Sequence, residues 1–299
     1  MQTVEYGGWK RNVRLTNGEI EVIVTQDVGP RAIRFGFVGG LNVFAEIKAQ
    51  LGGTGEKEWL LRGGHRLWVA PEESPKTYEL DNEAVAVEPI PNGIRTVQAA
   101  GPLSGIAKSI EITVSRNANE VVLLHILRNA GAKPADLAPW ALSVMAPGGM
   151  AVIPLPKKIP HTERLTHNQV WSIWAYTDFG DPRWTLGSRY VFFRQDPNRG
   201  PNKLGIAQRE GWVGYLLGDL LFVKRFGWID GATYPDGGVN FETFSNQDFL
   251  EMESLGPMVT LAPGESVTHA EKWSLFRGVP ASMTEADIDR NVLPLIAGR

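Results

Sequence analysis

Glu251 and Glu253 are the residues of this chain whose types and spacing best suit shared chemistry, in the stretch Phe249-Leu250-Glu251-Met252-Glu253-Ser254-Leu255. Written as a β-strand, the stretch sets Phe249, Glu251, Glu253 and Leu255 on one face and Leu250, Met252 and Ser254 on the other. At roughly 3.3 Å per residue the two carboxyls stand about 6.6 Å apart on one side, close enough to serve a single sugar-sized ligand. The competing reading is a solvated face, since antiparallel sheets often look at water on one side.

A second group is Arg62-Gly63-Gly64-His65-Arg66-Leu67-Trp68, two guanidiniums, an imidazole and an indole around paired glycines that allow a close backbone approach. Trp68 can stack on the apolar face of a sugar, while Arg62 or Arg66 donates paired hydrogen bonds to hydroxyl, carboxylate or phosphate oxygens. The alternative is a turn with solvated charges and a core tryptophan. Arg31, after Gly29-Pro30, lies beside the Gly39-Gly40 turn and joins the substrate-binding candidates. So does Lys224: it and Arg225 point to opposite faces of one strand, so one of the two is directed inward or into a cleft unless it snorkels from an edge. Asp236, in Tyr234-Pro235-Asp236-Gly237-Gly238, is first a turn-maker and second a ligand contact. Trp171, Trp174 and Trp184 suit core and cleft lining, and ten tryptophans exceed what a core needs. His125, between Leu123 and Leu127 on a strand face, reads as a core histidine. His161, His167 and His269 have no partner at metal-ligand spacing, so no metal is expected.

These groups need a scaffold, and the chain reads as β throughout. Asn17-Gly18 joins two alternating segments as a hairpin, and Gly218-Asp219 joins 212–217 to 220–226. Further strands are predicted near 84–89, 94–99, 109–115, 121–128, 141–145, 170–176, 190–195, 203–207, 258–261 and 266–275, while 48–57 reads as a loop. Only Thr284 to Leu293 has a helical pattern, with Thr284 as N-cap. No repeat of 20 to 50 residues is visible, which disfavours propellers and solenoids. The 299 residues contain no linker, so one large domain over 1–299 is expected. A net charge of −3 without a basic cluster disfavours nucleic-acid and membrane partners. With no cysteine, disulfide and thiolate chemistry is excluded. No Gly-rich phosphate loop, nucleophile elbow or Walker lysine is present, so no nucleotide or other cofactor is expected. The start of the chain lacks a leader pattern, which reads as cytoplasmic.

The order of these features resembles the galactose mutarotase-like superfamily. Gly29-Pro30-Arg31 looks like its early glycine-containing segment, and Arg62-Gly63-Gly64 is similar to the Arg-Gly-Gly of its sugar-phosphate epimerases. Leu250-Glu251 followed by Leu261-Ala262-Pro263-Gly264-Glu265 resembles its Leu-Glu strand and Pro-Gly-Glu turn. The resemblance implies an all-β, large antiparallel β-supersandwich with a short C-terminal helix, and a sugar cleft on its concave face. It implies Glu251 as the general base that takes the anomeric hydroxyl proton, and Arg62 as a substrate anchor. Active epimerases of that family place a catalytic histidine near a Tyr-Phe pair to protonate the ring oxygen. The matching region here, Ala138-Pro139-Trp140-Ala141-Leu142-Ser143-Val144-Met145, has none, which leaves His65 as the candidate acid.

The expected function is binding of a sugar or sugar derivative with Glu251 as acid-base group, as in a sugar 1-epimerase. Weak or no activity is expected on plain galactose or glucose, with binding preferred for a substituted sugar that Arg62 and Arg66 can hold. A non-catalytic carbohydrate-binding protein is the alternative. A glycoside hydrolase or lyase using Glu251 and Glu253 ranks below both, because two carboxylates on one strand face approach a sugar from the same side, whereas hydrolysis needs them to flank the bond.

Overall fold

The computed structural model describes residues 1–280 and 284–297, which form two large antiparallel sheets packed face to face. Across the first sheet run Gln2–Tyr6, Trp9–Thr16, Ile20–Thr25, Arg31–Phe37, Gly64–Ala70, Ala135–Met145, Leu250–Leu255, Phe241–Ser245, Asn202–Ile206 and Trp171–Ile173, with Val259–Leu261 on the near end of Ala135–Met145. Across the second run Trp184–Leu186, Tyr190–Arg194, Met150–Pro154, Trp212–Leu217, Leu220–Phe226, Ser266–Phe276, Glu120–Asn129, Ile106–Val114, Gly93–Gln98 and Ala86–Ile90.

Alternation explains which faces meet. In Ile106–Val114, Ile106, Lys108, Ile110, Ile112 and Val114 are buried and the residues between them are partly exposed, a period of two. Such inward faces from both sheets merge into one core in which Phe35 and Phe44 of the first sheet's side meet Phe222 and Trp273 of the second, with ring centroids 5.3 to 6.3 Å apart.

Both outer faces are also partly covered. Thr284 Oγ1 accepts from the Asp287 amide at 3.2 Å and caps the helix Glu285–Asn291. This helix and the short helix Leu293–Ile296 press Ile288, Val292 and Ile296 against Val152, Phe192, Trp212 and Val223 on the outside of the second sheet. On the first sheet, Ala135–Met145 and Leu250–Leu255 are buried on both sides over most of their length, so Glu251 and Glu253 do not look at open water.

The alternative of a turn with solvated charges after Gly63 does not hold: Gly64–Ala70 is a strand between Arg31–Phe37 and Ala135–Met145. The glycines serve this packing rather than a ligand: a Cβ on Gly63 would lie 2.0 Å from the Ala45 carbonyl oxygen, and one on Gly64 would lie 2.5 Å from that of Ala32. Among the described residues no helix is long and apolar enough to cross a membrane.

Candidate acid-base site

The site lies on the face of the first sheet turned away from the core. Pairing across Leu250–Leu255 sets Glu253 beside Leu142 and Glu242, and Glu251 beside Val144 and Phe244. One strand further, Lys203 pairs with Phe244 and Gly205 with Glu242. On the other side Arg66 and Trp68 pair with Leu142 and Trp140. Five charged side chains from four strands thus share one outward face.

They are held by one another. Arg66 Nη2 donates to Glu251 Oε1 at 3.1 Å, and its guanidinium lies 4.4 Å from the Trp68 ring centroid and 5.4 Å from that of Trp59. Glu253 Oε2 accepts from Trp140 Nε1 at 2.9 Å and from Lys203 Nζ at 3.1 Å. The same ammonium stands 2.6 Å from Glu242 Oε2, between the rings of Trp140 and Trp174 at 5.0 and 4.7 Å. Gly205 makes room for this arrangement, since a Cβ there would stand 3.2 Å from Trp174.

Three carboxyls face two cations in a nearly dry floor, which favours a proton on one of the carboxyls. Burial pushes Glu242 well above the usual carboxylate range, against the pull of Lys203 and with the repulsion of Glu253. Burial also raises Glu251, opposed by Arg66 and aided by Glu253. Burial alone would lower Lys203, but Glu253 and Glu242 outweigh it and hold its ammonium charged. Glu242 Oε1, Glu253 Oε1, and Arg66 Nε and Nη1 are buried without a hydrogen-bond partner, which leaves unmet acceptors and donors on this face.

Beside these residues opens a cleft of about 440 Å³, lined by Glu72, Ser74, Tyr78, Trp140, Trp174, Lys203, Asp236 and Glu242. Indole and phenol walls over hydrogen-bonding groups suit the alternating apolar and hydroxylated faces of a sugar ring.

Strand parity separates the residues that the sequence placed together. Glu251, Glu253, Arg66 and Trp68 meet as described, with Glu253 fully buried beneath the floor and Glu251 8% exposed. Asp236 lines the cleft, and its carbonyl accepts from Ser172. His65, one residue from Arg66, necessarily points the other way, into the core, and so cannot be the acid of this cleft. Its Nδ1 pairs with Ser143 Oγ at 2.9 Å, its Nε2 with His125 Nε2 at 2.7 Å, and its ring meets Trp273 edge-on at 4.7 Å. Burial drives its basicity well down. Lys224 also faces the core, donating to the carbonyls of Ala141 and Met252 and lying 2.8 Å from Glu271 Oε1.

Two arginines expected to touch ligand are instead ties within the chain. Arg31 is sealed, its Nη1 on the Leu61 and Gly63 carbonyls and its Nη2 on Asp81 at 2.6 Å; burial lowers it to about 10. Arg62 is equally buried, bonded to the Gln50 carbonyl at 2.8 Å and to Glu56 at 2.5 Å. Neither can hold a substituent on a sugar, and Arg66 is paired with Glu251 among an excess of carboxylates. The expected preference for an anionic sugar therefore loses its basis.

Sequence reasoning missed Glu242, Lys203 and Trp140 as site residues. The signal existed in Phe241–Ser245, where Glu242 and Phe244 alternate with Phe241, Thr243 and Ser245, and in Asn202–Ile206, where Lys203 and Gly205 alternate with Leu204 and Ile206. In the core, donor atoms of His65, His125 and Glu271 lie within 4.8 Å of one another, a spacing open to a metal ion. The set does not fit one: Glu271 Oε1 is neutralised by Lys224, and Glu271 Oε2 accepts from Trp273 Nε1 at 2.7 Å.

No protein-family model matches the sequence, and no curated protein matches it. Solved structures do match in shape. A galactose mutarotase-like protein from Lactobacillus casei ATCC 334 superposes with a TM-score of 0.60 at 9% identity, over 89% of this chain and 100% of the other. The Slr1438 protein from Synechocystis sp. PCC 6803 also gives 0.60 at 9% identity, over 93% and 100%. The GH36 α-galactosidase AgaA from Geobacillus stearothermophilus gives 0.51 at 12%, over 90% of this chain and 41% of its own. With two face-packed antiparallel sheets, a short C-terminal helix and these neighbours, the chain has the galactose mutarotase-like fold.

Proposed function

We propose that the protein binds an aldose in the cleft over Trp140 and Trp174 and interconverts its anomers, with Glu251 as the general base. The observation that carries this reading is Glu251 itself. It is a buried carboxyl, raised by desolvation yet held by Arg66, on the same sheet face as Glu242 and Lys203, which line the aromatic-walled cleft. A raised carboxyl gains strength as a base, and a guanidinium on one oxygen leaves the other for the anomeric hydroxyl. Deprotonation of O1 expels the ring oxygen, the chain rotates about C1–C2, and closure on the other carbonyl face returns the proton. The excess of carboxylates favours neutral sugars over phosphorylated or acidic ones.

The test is anomer exchange followed by NMR on freshly dissolved α-D-galactose and α-D-glucose. Acceleration that falls about 10²- to 10⁴-fold in Glu251→Gln, with sugar binding retained, is the expected result. Binding without turnover in the native protein leaves a carbohydrate-binding protein, and absence of any sugar binding refutes the reading.

A further inference from the structure

Ring opening needs a proton donor as well as a base, and neither the region around Trp140 nor His65 supplies one. The floor of the cleft contains a carboxyl that fits. We infer that Glu242 is the proton donor to the ring oxygen, with Lys203 as the group that positions it and stabilises its charge. The inference rests on the proposed anomer interconversion.

Three observations carry it. Glu242 lines the cleft, whereas Glu253 is sealed behind Trp140 and Lys203. Its Oε1 is buried with no hydrogen-bond partner while Oε2 is held by Lys203, so the free oxygen is the one available to a ligand. It is also a diagonal neighbour of Glu251: Glu242 pairs with Glu253, two residues along the strand from Glu251. Diagonal Cβ atoms stand about 7 to 8 Å apart. That span accommodates a hemiacetal between two groups, each within hydrogen-bond reach of about 2.6 to 3.2 Å. Burial keeps Glu242 protonated above the usual carboxylate range, which fits a donor. Lys203 does not fit that role, because its proton is shared by two carboxylates that hold it.

The step balances. Glu251 takes the proton of O1–H, the O–H pair becomes the C1=O1 π bond, and the C1–O5 bond breaks with its pair passing to O5. O5 takes the Glu242 proton. Glu251 ends protonated and Glu242 ionised beside the Lys203 ammonium, so the charge of the floor does not change. After rotation about C1–C2 the reverse transfers close the ring and restore both residues.

The experiment compares native protein, Glu242→Gln, Glu242→Asp and Glu251→Gln on α-D-galactose and α-D-glucose across pH, with circular dichroism to verify folding. A donor is active only while protonated, so native kcat declines as pH rises through its pKa. Glu242→Gln is expected to lose about 10²- to 10⁴-fold in kcat with KM changed little, and to lose that alkaline limb. Glu242→Asp is expected to recover part of the rate and the limb. Infrared spectra of the native protein at neutral pH should show a protonated carboxyl that Glu242→Gln removes; this reading does not depend on the variant's activity. Turnover that survives in Glu242→Gln while Glu251→Gln abolishes it overturns the Glu242 assignment and leaves the general reading standing. Absence of a protonated carboxyl at neutral pH overturns the assignment as well. No acceleration by native protein overturns both.

Discussion

Arg66 Nη2 reaches Glu251 Oε1 at 3.1 Å across 185 positions of sequence, and the pair is buried at 3% and 8% exposure. Desolvation raises the carboxyl and the guanidinium restrains the rise. Arg66→Met should therefore raise Glu251 further and move the acidic limb of the pH–rate profile to higher pH. The stability loss in urea titration at pH 7 should stay below the about 3–5 kcal/mol typical of a broken buried pair, because Glu251 can escape by taking a proton. An unmoved acidic limb contradicts the role of the pair.

Lys203 serves Glu253 and Glu242 with one ammonium. Lys203→Met should cost about 3–5 kcal/mol by chemical denaturation, since it leaves the buried Glu253 carboxylate without its ammonium. Adding Glu253→Gln should recover part of that loss, and strictly additive losses would show that the two residues are not coupled.

Trp174 is half-buried on the cleft wall, its ring centroid 4.7 Å from Lys203 Nζ. Trp174→Ala should weaken sugar binding roughly 2- to 10-fold, the equivalent of about 0.5–1.5 kcal/mol for an aromatic contact, with little change in melting temperature. Calorimetric titration with galactose measures it. Unchanged affinity would place the sugar elsewhere.

Arg62 ties its own strand entry to Gln50 and Glu56. Arg62→Met should destabilise the fold by about 3 kcal/mol or more through the stranded buried acceptors, yet leave sugar affinity unchanged. A selective loss of sugar binding would return Arg62 to the site.

The core histidines make stability pH-dependent. Burial lowers His269 to about 3 and also lowers His65 and His125. Below about pH 6.5 the unfolded chain binds protons that the native protein refuses, so stability falls on acidification. For His269 the loss grows by about 1.4 kcal/mol per pH unit and levels off near pH 3, a window that follows from the two pKa values. Glu242 and Glu251 act oppositely, because their folded values lie above the unfolded ones and acid stabilises them. Comparing native protein with His269→Gln isolates the histidine part. The variant's denaturation free energy should fall less steeply between pH 6 and pH 4, and parallel slopes would contradict the buried neutral state.

Local information settled much of this protein. Period-two alternation and turns such as Asn17-Gly18 and Gly218-Asp219 announced antiparallel strands. The two-residue spacing of Glu251 and Glu253 required them to share a face, because strand geometry leaves no alternative. Thr284 ahead of Glu285 and Asp287 announced the helix start. The tertiary structure decided which face was which and who stood opposite. Gly64–Ala70 became a strand only because Ala135–Met145 and Arg31–Phe37 pair with it, and that pairing split Arg66 from His65. Glu242 and Lys203 joined Glu253 through ladders to strands whose sequences carry no label for their neighbours. Burial of Arg31 and Arg62 depended on loop packing from residues 48–57 and 81. Alternation is a property of a few consecutive residues, but the identity of a cross-strand partner is a property of the whole chain's packing. The strands could thus be read locally, and the acid-base floor could not.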